Sequence, residues 1–200
     1  PLDVTSSLIY NERSLIVVDP GDNLTDRLQK IGERESVTVL LTHAHIDHVA
    51  GFHSVLNCYP HAVAVLNKKD EELLQNLDYQ AQTLGFLPVK PILPGIVIQG
   101  DGEMLAGDIP LRYLEIGGHT AGSTVYIIDE VIYSGDTLFN HVVGRTDLMG
   151  STSHQELIAN IRKKLMVFAD TTRVIPGHGP ATSIGFERKN NLYVGSRDND

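Results

Sequence analysis

The sequence contains a single cysteine, Cys58, and no apolar run long enough to form a membrane span. One cysteine excludes an internal disulfide framework and a zinc site built from cysteines alone, and we expect Cys58 to be a small buried side chain. A membrane-spanning helix needs ~20 apolar residues, and no signal-peptide pattern opens the chain. We therefore expect a cytoplasmic protein with no membrane partner.

Positive charge is also scarce. The chain has 16 Lys and Arg against 25 Asp and Glu, which gives a formal net charge of −9. Proteins that bind nucleic acid usually carry a basic patch, so we expect no nucleic-acid partner. The 200 residues contain no repeat, low-complexity segment or flexible linker, and 42% of them are hydrophobic. This composition predicts one globular domain over residues 1–200.

Apolar, β-rich runs alternate with helical patterns along the whole chain, which predicts an α/β protein with helices covering the faces of its sheets. Helices are expected from an N-cap at Asp22 to Gly32, from about 48 to 57, from 73 to 84 before Gly85, and after the capping box at 153–156. Strands are expected at 7–10, 14–18, 37–42, 62–66, 96–99, 104–105, 110–116, 124–128, 131–134 and 173–175.

The strongest functional signal is the segment HAHIDH at residues 43–48, which follows the predicted strand 37–42. Unpaired polar side chains at the end of an apolar strand cost desolvation energy unless something binds them. Imidazoles combined with a carboxylate are ligands that divalent metals such as zinc prefer. The segment therefore indicates a metal site rather than a set of capping or surface histidines.

Three further strand ends carry ligand-type residues in loops of small side chains. They are GGHT at 117–120, SGDT at 134–137 and PGHG at 176–179. The C-terminal ends of strands are where open α/β sheets place their sites. Because all four strand ends can converge on one edge, their combination is far more specific than a single histidine beside glycine.

Together, the motifs HxHxDH, GGHT, SGDTLF and PGHGP resemble those of the metallo-β-lactamase superfamily, and in particular the short bacterial members of its glyoxalase II branch, the hydroxyacylglutathione hydrolases. The resemblance extends from SLIY at 7–10 to GFER at 185–188. It implies a four-layer αββα sandwich with two metal ions at one edge of its sheets. Asp19 would support the site from outside the ligand shell, or be a turn residue before Pro20. The ligands implied are His43, His45 and His119 for the first metal, Asp47, His48 and His178 for the second, and Asp136 as the bridge.

The activity implied is hydrolysis of a small-molecule glutathione thioester such as S-lactoylglutathione. Asp47 would be the catalytic residue that orients the attacking hydroxide and accepts its proton. Seven ligands, one shared, leave positions open for a bridging water, whose pKa a metal lowers to ~7. Zinc is the expected ion, and iron or manganese also suits mixed His and Asp ligands. Two cations against two aspartates make the site locally positive, which favours an anionic substrate.

Two features depart from classical glyoxalase II enzymes. Those enzymes carry a further C-terminal helical domain, whereas residues 179–200 are all that follow His178 in this sequence, so we expect that domain to be absent. They also have a lysine and a nearby tyrosine where this chain has Arg145 and Asp147. Arg145 is a candidate to bind a substrate carboxylate, although an ion pair with Asp147 is an equally good interpretation.

The main alternative is a persulfide dioxygenase of the same superfamily, which shares the motif GRTD at 144–147. It would use one iron held by His43, His119 and Asp136. A lactonase or β-lactamase is less well supported. A nuclease is disfavoured because residues 137–177 leave no room for the domain that such nucleases insert there, and the full ligand set disfavours a non-catalytic module.

Four histidines lie outside these motifs. We expect His53, His61 and His154 to be structural or exposed. His141 follows Asp136 closely along the chain, and it is a candidate to face the substrate cleft.

Overall fold

Two β-sheets make up the centre of the computed structural model, which describes residues 3–195. The strands of the first sheet are β1 (Ser7–Tyr10), β2 (Ser14–Val18), β3 (Ser36–Leu40), β4 (Val63–Asn67) and β5 (Ile96–Ile98). They lie in chain order, with β1 antiparallel to β2 and the remaining pairs parallel. Parallel pairing aligns the C-terminal ends of β2, β3 and β4 on one edge.

The second sheet follows in the chain and has the order β11-β10-β9-β8-β7-β6. All its pairs are antiparallel except β9 with β10. The strands are β6 (Gly102–Ala106), β7 (Ile109–Glu115), β8 (Thr124–Ile128), β9 (Val131–Gly135), β10 (Arg173–Pro176) and β11 (Thr182–Ser183).

Helices cover the outer face of each sheet. Five short helices follow strands of the first sheet, namely α1 (Thr25–Ile31), α2 (Ile46–Val49), α3 (Phe52–Cys58), α4 (Glu71–Gln75) and α5 (Leu77–Leu84). The second sheet is covered by α6 (His154–Lys164) and α7 (Ile184–Asn190).

Alternation along the strands produces the four layers. In β2, Leu15 and Val17 pack with the helices, whereas Ile16 and Val18 pack in the cluster between the sheets. The same division occurs in β8, where Val125 faces the helices and Tyr126 faces the first sheet. Successive strand residues point to opposite faces, so fully apolar strands supply both layers. The predicted αββα sandwich is therefore confirmed.

Some predicted boundaries are wrong. Asp22 does not cap α1, because the helix begins at Thr25. The Asp22 carboxylate instead accepts a hydrogen bond from the neighbouring Asn23 N–H. The helix expected from about 48 to 57 is divided into α2 and α3 at Gly51. A Cβ at Gly51 would meet the Asp22 carbonyl oxygen at 1.8 Å, so the chain passes too closely there for another side chain.

Other boundaries shift by less. The helix expected from 73 to 84 is the pair α4 and α5, and Gly85 ends it in the left-handed conformation as predicted. The sequence patterns did not indicate β11 or α7, which are short. Cys58 is half-buried against the helical side of the first sheet. Across residues 3–195, no helix combines the length and apolar character that a membrane crossing requires.

The hairpin between β8 and β9 gives a test of local backbone strain. Ile128 pairs with Val131, so Asp129 and Glu130 form a two-residue turn, and both have positive φ (48° and 63°). Such turns favour Asp-Gly, and a left-handed conformation costs a residue with a Cβ ~1–2 kcal/mol. Since glycine also has more entropy to lose on folding, Glu130→Gly should stabilise the protein by about 0.5–1 kcal/mol in urea unfolding.

The matched control is Glu130→Ala. It removes the same charge but keeps the Cβ, so the backbone strain stays. Equal stabilisation by both variants would show that the glutamate side chain, and not its φ angle, carries the cost.

Candidate metal centre

Four loops bring the predicted ligands to the edge where both sheets end. β3 leads into the segment 43–48 and α2, and β7 leads into the loop that carries His119. Asp136 follows β9 directly, and His178 lies two residues after β10. Since β9 and β10 are parallel, these last two side chains emerge side by side. All seven residues that the motifs singled out therefore meet at one place.

The first group consists of His43, His45 and His119, all of them buried. The His119 Nε2 atom lies 3.2 Å from His43 Nε2 and 3.0 Å from His45 Nδ1. Three ring nitrogens facing one another at this distance leave room for a cation between them after small side-chain shifts. Three imidazoles with an open fourth position are a ligand set that suits zinc.

The second group consists of Asp47, His48 and His178. His178 Nε2 lies 3.3 Å from Asp47 Oδ2, and His48 Nε2 lies 3.9 Å from the same oxygen. Asp136 lies between the groups: its Oδ1 is 3.2 Å from His48 Nε2, and its Oδ2 is 3.7 Å from His119 Nε2. Its Oδ2 also lies 3.6 Å from His178 Nε2, so this carboxylate contacts rings of both groups, which is the arrangement expected of a bridging ligand.

Each of the five histidines uses its other ring nitrogen for a contact outside the cluster. Such contacts fix the tautomer and the ring orientation of metal-binding histidines. The nitrogens left facing the centre are Nε2 in four rings and Nδ1 in His45. For His43, His45, His48, His119 and His178 respectively, the outer partners are the Thr42 hydroxyl, the Met149 carbonyl, the Asp19 carboxylate, the Arg145 carbonyl and the Asp3 carbonyl, at 2.7–3.0 Å.

The Asp19 carboxylate contacts the surroundings of both ligand groups. It is buried, and its Oδ2 accepts hydrogen bonds from His48 Nδ1 (2.9 Å) and from the Thr42 hydroxyl (2.6 Å). Its Oδ1 accepts from the Thr42 N–H at 2.8 Å. The same Thr42 hydroxyl lies 3.0 Å from His43 Nδ1, so Asp19 is connected to His43 through a hydrogen-bond chain. One carboxylate therefore orients a ring in each group, and its positive φ of 47° places it there.

The protonation states of His43, His119 and Asp136 match metal binding. Burial lowers the pKa of His119 to about 4 and, together with neighbouring imidazoles, holds the pKa of His43 well below its usual value. Burial opposes ionisation of Asp136, but His48 and His119 outweigh it and lower its pKa to about 2. Neutral imidazoles and ionised carboxylates are the forms that bind metals.

Two buried atoms in the described part of the chain support this interpretation. His48 Nε2 and Asp136 Oδ1 have no hydrogen-bond partner there. Burial works against a charge on His48, yet Asp136 and Asp19 raise its pKa well above the usual value. The cluster therefore attracts positive charge to a point between these two atoms, and a divalent cation would satisfy both.

Gly177 allows this packing. A Cβ at Gly177 would meet Asp136 Oδ1 at 2.4 Å and His48 Cε1 at 2.6 Å. The glycine before His178 is thus needed for close approach of the backbone to the two ligands.

The side chains of the remaining candidates make contacts outside the cluster. Arg145 forms a bidentate ion pair with Asp147, with both nitrogen–oxygen distances 2.9 Å, and its side chain is 68% exposed. His141 is exposed, and its ring packs edge-on against Phe186 of α7. The main-chain N–H of His141 donates to the Glu187 carboxylate. His61 and His154 are exposed, and His53 is half-buried against Phe52.

Sequence reasoning missed the polar residues that hold the loops. Thr42, Asp70 and Gln80 are buried and hydrogen-bond the ligand segments. Of these three residues, only Thr42 is marked by the local sequence, because it is a polar residue at the end of an apolar strand. Gln80 lies in a predicted helix whose pattern indicated only a packed face, and Asp70 lies before that helix, outside any predicted element.

A four-layer αββα sandwich with clustered His and Asp at the shared edge of its sheets defines a class of metal-dependent enzymes. The chain belongs to the metallo-beta-lactamase superfamily, whose family model matches residues 1–179. It is 34% identical, over 197 residues, to the hydroxyacylglutathione hydrolase GloC of Haemophilus influenzae, an alignment that covers 96% of this chain and 92% of that protein.

Solved structures show the same relationship. The B3 metallo-beta-lactamase BLEG-1 has a TM-score of 0.86 at 28% identity, covering 98% of this chain and 96% of that one. TTHA1623, in a di-iron-bound form, has a TM-score of 0.85 at 32% identity, covering 96% of each chain. ETHE1 from Myxococcus xanthus shares the fold, with a TM-score of 0.75 at 24% identity over 97% of this chain and 82% of that one. The protein is accordingly a metallo-hydrolase of this superfamily that uses divalent metal.

The contact between Asp19 and His48 gives a direct test of the site. Asp19→Asn should weaken zinc binding by about 10–100-fold, because an amide no longer fixes the His48 tautomer. Zinc affinity measured by competition with a chromophoric chelator checks this. Asp22→Asn, an exposed aspartate three residues away, should leave the affinity unchanged. Normal affinity in Asp19→Asn would show that the ring is oriented by packing alone.

Proposed function

We propose that this protein hydrolyses glutathione thioesters such as S-lactoylglutathione, with two divalent metal ions in the cluster. The observation that carries the proposal is the position of Asp136, whose carboxylate lies within 3.7 Å of rings from both ligand groups. The similarity to a hydroxyacylglutathione hydrolase over 96% of the chain supports the substrate class. The single cysteine supports a cytoplasmic setting.

In this proposal His43, His45 and His119 hold one ion, and Asp47, His48 and His178 hold the other. When bound, the ions supply a water of lowered pKa and stabilise the charge that develops on the carbonyl oxygen. Zinc is the proposed ion because three imidazoles form the first group. Iron and manganese suit the same mixed donors, and the di-iron form of TTHA1623 is consistent with iron.

Asp47 is the proposed catalytic residue. Burial raises its pKa, but the hydrogen bond from His178 and the nearby His48 outweigh this and lower it. The carboxylate is therefore ionised near neutral pH and can orient the attacking water and take its proton. During hydrolysis the water oxygen bonds to the carbonyl carbon, the carbon–sulfur bond breaks, and the departing thiolate is protonated by the proton that the water released.

A persulfide dioxygenase is the second candidate, and two short contacts within its ligand set support it. His119 Nε2 lies 3.2 Å from His43 Nε2 and 3.7 Å from Asp136 Oδ2. Two histidines and one carboxylate are the donors of mononuclear non-haem iron sites. The two candidates differ in metal count and in their need for oxygen.

Reaction class can be tested without oxygen. The metal-loaded protein should hydrolyse S-lactoylglutathione under nitrogen, lose this activity on chelation and contain close to two metal ions per chain. Asp47→Asn should lower kcat by about a hundredfold or more, because it removes a ligand and a proton acceptor. Asp78→Asn, an exposed aspartate on α5, is the matched control. Oxygen uptake with glutathione persulfide, one iron per chain and inert thioesters would establish the dioxygenase instead.

Arg145 is the proposed contact for a substrate carboxylate. Its carbonyl already accepts from His119 Nδ1 at 2.7 Å, so the residue is anchored beside the first group. Asp147 occupies the Nε and Nη2 side of the guanidinium and would weaken its grip on an anion. An exposed pair of this kind contributes only ~0–1 kcal/mol, so the substrate can compete with it.

The expected effect of Arg145→Ala is a loss of less than about tenfold in kcat/KM for the full glutathione thioester, or less than ~1.4 kcal/mol. A cysteamine-type thioester without carboxylates should show no loss. Asp147→Ala frees the guanidinium and should raise kcat/KM for the full substrate only. Equal losses on both substrates in Arg145→Ala would assign the residue to loop structure rather than to substrate binding.

A further inference from the structure

Asp70 is a buried carboxylate that connects two ligand loops. It ends a 3-10 turn at Lys68–Asp70, and only 1% of its surface is exposed. Its Oδ2 accepts from the Ala44 N–H (3.1 Å) and from the Thr120 hydroxyl (2.8 Å), and its Oδ1 accepts from the Gly122 N–H (2.7 Å). Ala44 lies between His43 and His45, and Thr120 follows His119.

Gln80, in α5, holds the same segment from a second direction. It is 3% exposed. Its Nε2 donates to the carbonyls of Ala44 (3.1 Å) and Leu73 (3.0 Å), and its Oε1 accepts from the Ile46 N–H (2.9 Å). Asp70 and Gln80 together hydrogen-bond the N–H and the carbonyl of Ala44, so they fix the backbone between His43 and His45.

We propose that Asp70 and Gln80 are positioning residues that hold His43, His45 and His119 together as one metal-binding set. The inference rests on the metal-binding half of the proposed function and not on the substrate. Neither residue touches the second group, whose rings are instead held by Asp19 and by the Asp3 carbonyl.

The chemistry of Asp70 supports this role. Burial raises the pKa of Asp70, and the hydrogen bonds from Thr120, Gly122 and Ala44 act in the opposite direction. No Lys or Arg pairs with it in the described part of the chain, so these three hydrogen bonds are what offset its desolvation. An ionised carboxylate is acceptor-only on both oxygens and can face three donors, whereas an amide would present N–H donors on one side. The two loops are therefore fastened to a common point.

Gly122 shows how closely the loop approaches. A Cβ there would lie 2.7 Å from Asp70 Cγ and 2.9 Å from Asp70 N. Only glycine lets its N–H reach the carboxylate without displacing it. The loop of His119 is thus shaped to meet Asp70.

The experiment separates the two ligand groups. In a His178→Ala background the first group is intact, and in a His119→Ala background the second group is intact. Asp70→Asn, which turns one acceptor into a donor facing other donors, should weaken zinc binding about 10–100-fold in the first background. In the second background the change should be less than about threefold. Zinc affinity is measured by chelator competition, and folding is followed by circular dichroism.

Tyr59→Phe is the matched control for loss of a buried hydrogen bond. Its hydroxyl donates to the Leu28 and Gly32 carbonyls, beyond the opposite end of β3, and its removal should leave zinc affinity unchanged in both backgrounds. Thr120→Val and Thr120→Ser form a second pair. The valine variant loses the donor and should weaken zinc binding in the His178→Ala background, whereas the serine variant should restore it.

Equal weakening in both backgrounds, or none in the His178→Ala background, would overturn the inference. If Asp70→Asn does not fold, the Thr120 pair decides: the same affinity for valine and serine rejects the role of Asp70. A wild-type protein that binds zinc but does not hydrolyse thioesters would reject the proposed substrate while leaving these affinity comparisons valid.

Discussion

Desolvation of the seven ionisable side chains at the sheet edge is the constraint that shapes the surrounding structure. Buried polar atoms must be paired, and the atoms that face the centre are reserved for one another or for a cation. Each histidine ring nitrogen that faces away from the centre therefore has its own hydrogen-bond acceptor. This requirement explains why main-chain carbonyls from distant loops converge on the rings.

The packing between the sheets sets the geometry of the cluster. The first sheet supplies residues 43–48, and the second supplies His119, Asp136 and His178. The buried Tyr126 hydroxyl donates to the Leu41 carbonyl across the sandwich at 3.0 Å, and the Thr124 N–H donates to the Thr42 carbonyl at 2.8 Å. Leu41 and Thr42 come directly before residues 43–48, and β8 follows the loop of His119, so a change in sheet separation would displace the ligands of the two sheets relative to each other.

The sequence predicts those features that depend on neighbours along the chain. Alternating and continuous apolar runs locate the strands, and the HxHxDH segment identifies itself by spacing. Asp70 has no such signal, because its partners Ala44 and Thr120 lie 26 and 50 residues away. The break at Gly51 is hidden for the same reason, since it depends on the backbone of Asp22. The sequence does not predict the short α7, because its helical pattern is too short to distinguish from a loop.

The two ligand groups differ in the charge that surrounds them. The first is oriented by neutral acceptors, namely a hydroxyl and two carbonyls. The second contains Asp47, and its His48 is oriented by the Asp19 carboxylate. A carboxylate behind an imidazole increases the basicity of the ring. Under the proposed assignment the second group is therefore the more anionic one, and its Asp47 carboxylate would orient the attacking water. The rings of the first group have neutral outer partners, so a cation held there would keep more of its positive charge to stabilise the carbonyl oxygen of the substrate. If the proposed function holds, the asymmetry of the ligands would divide these two roles between the two sides of Asp136.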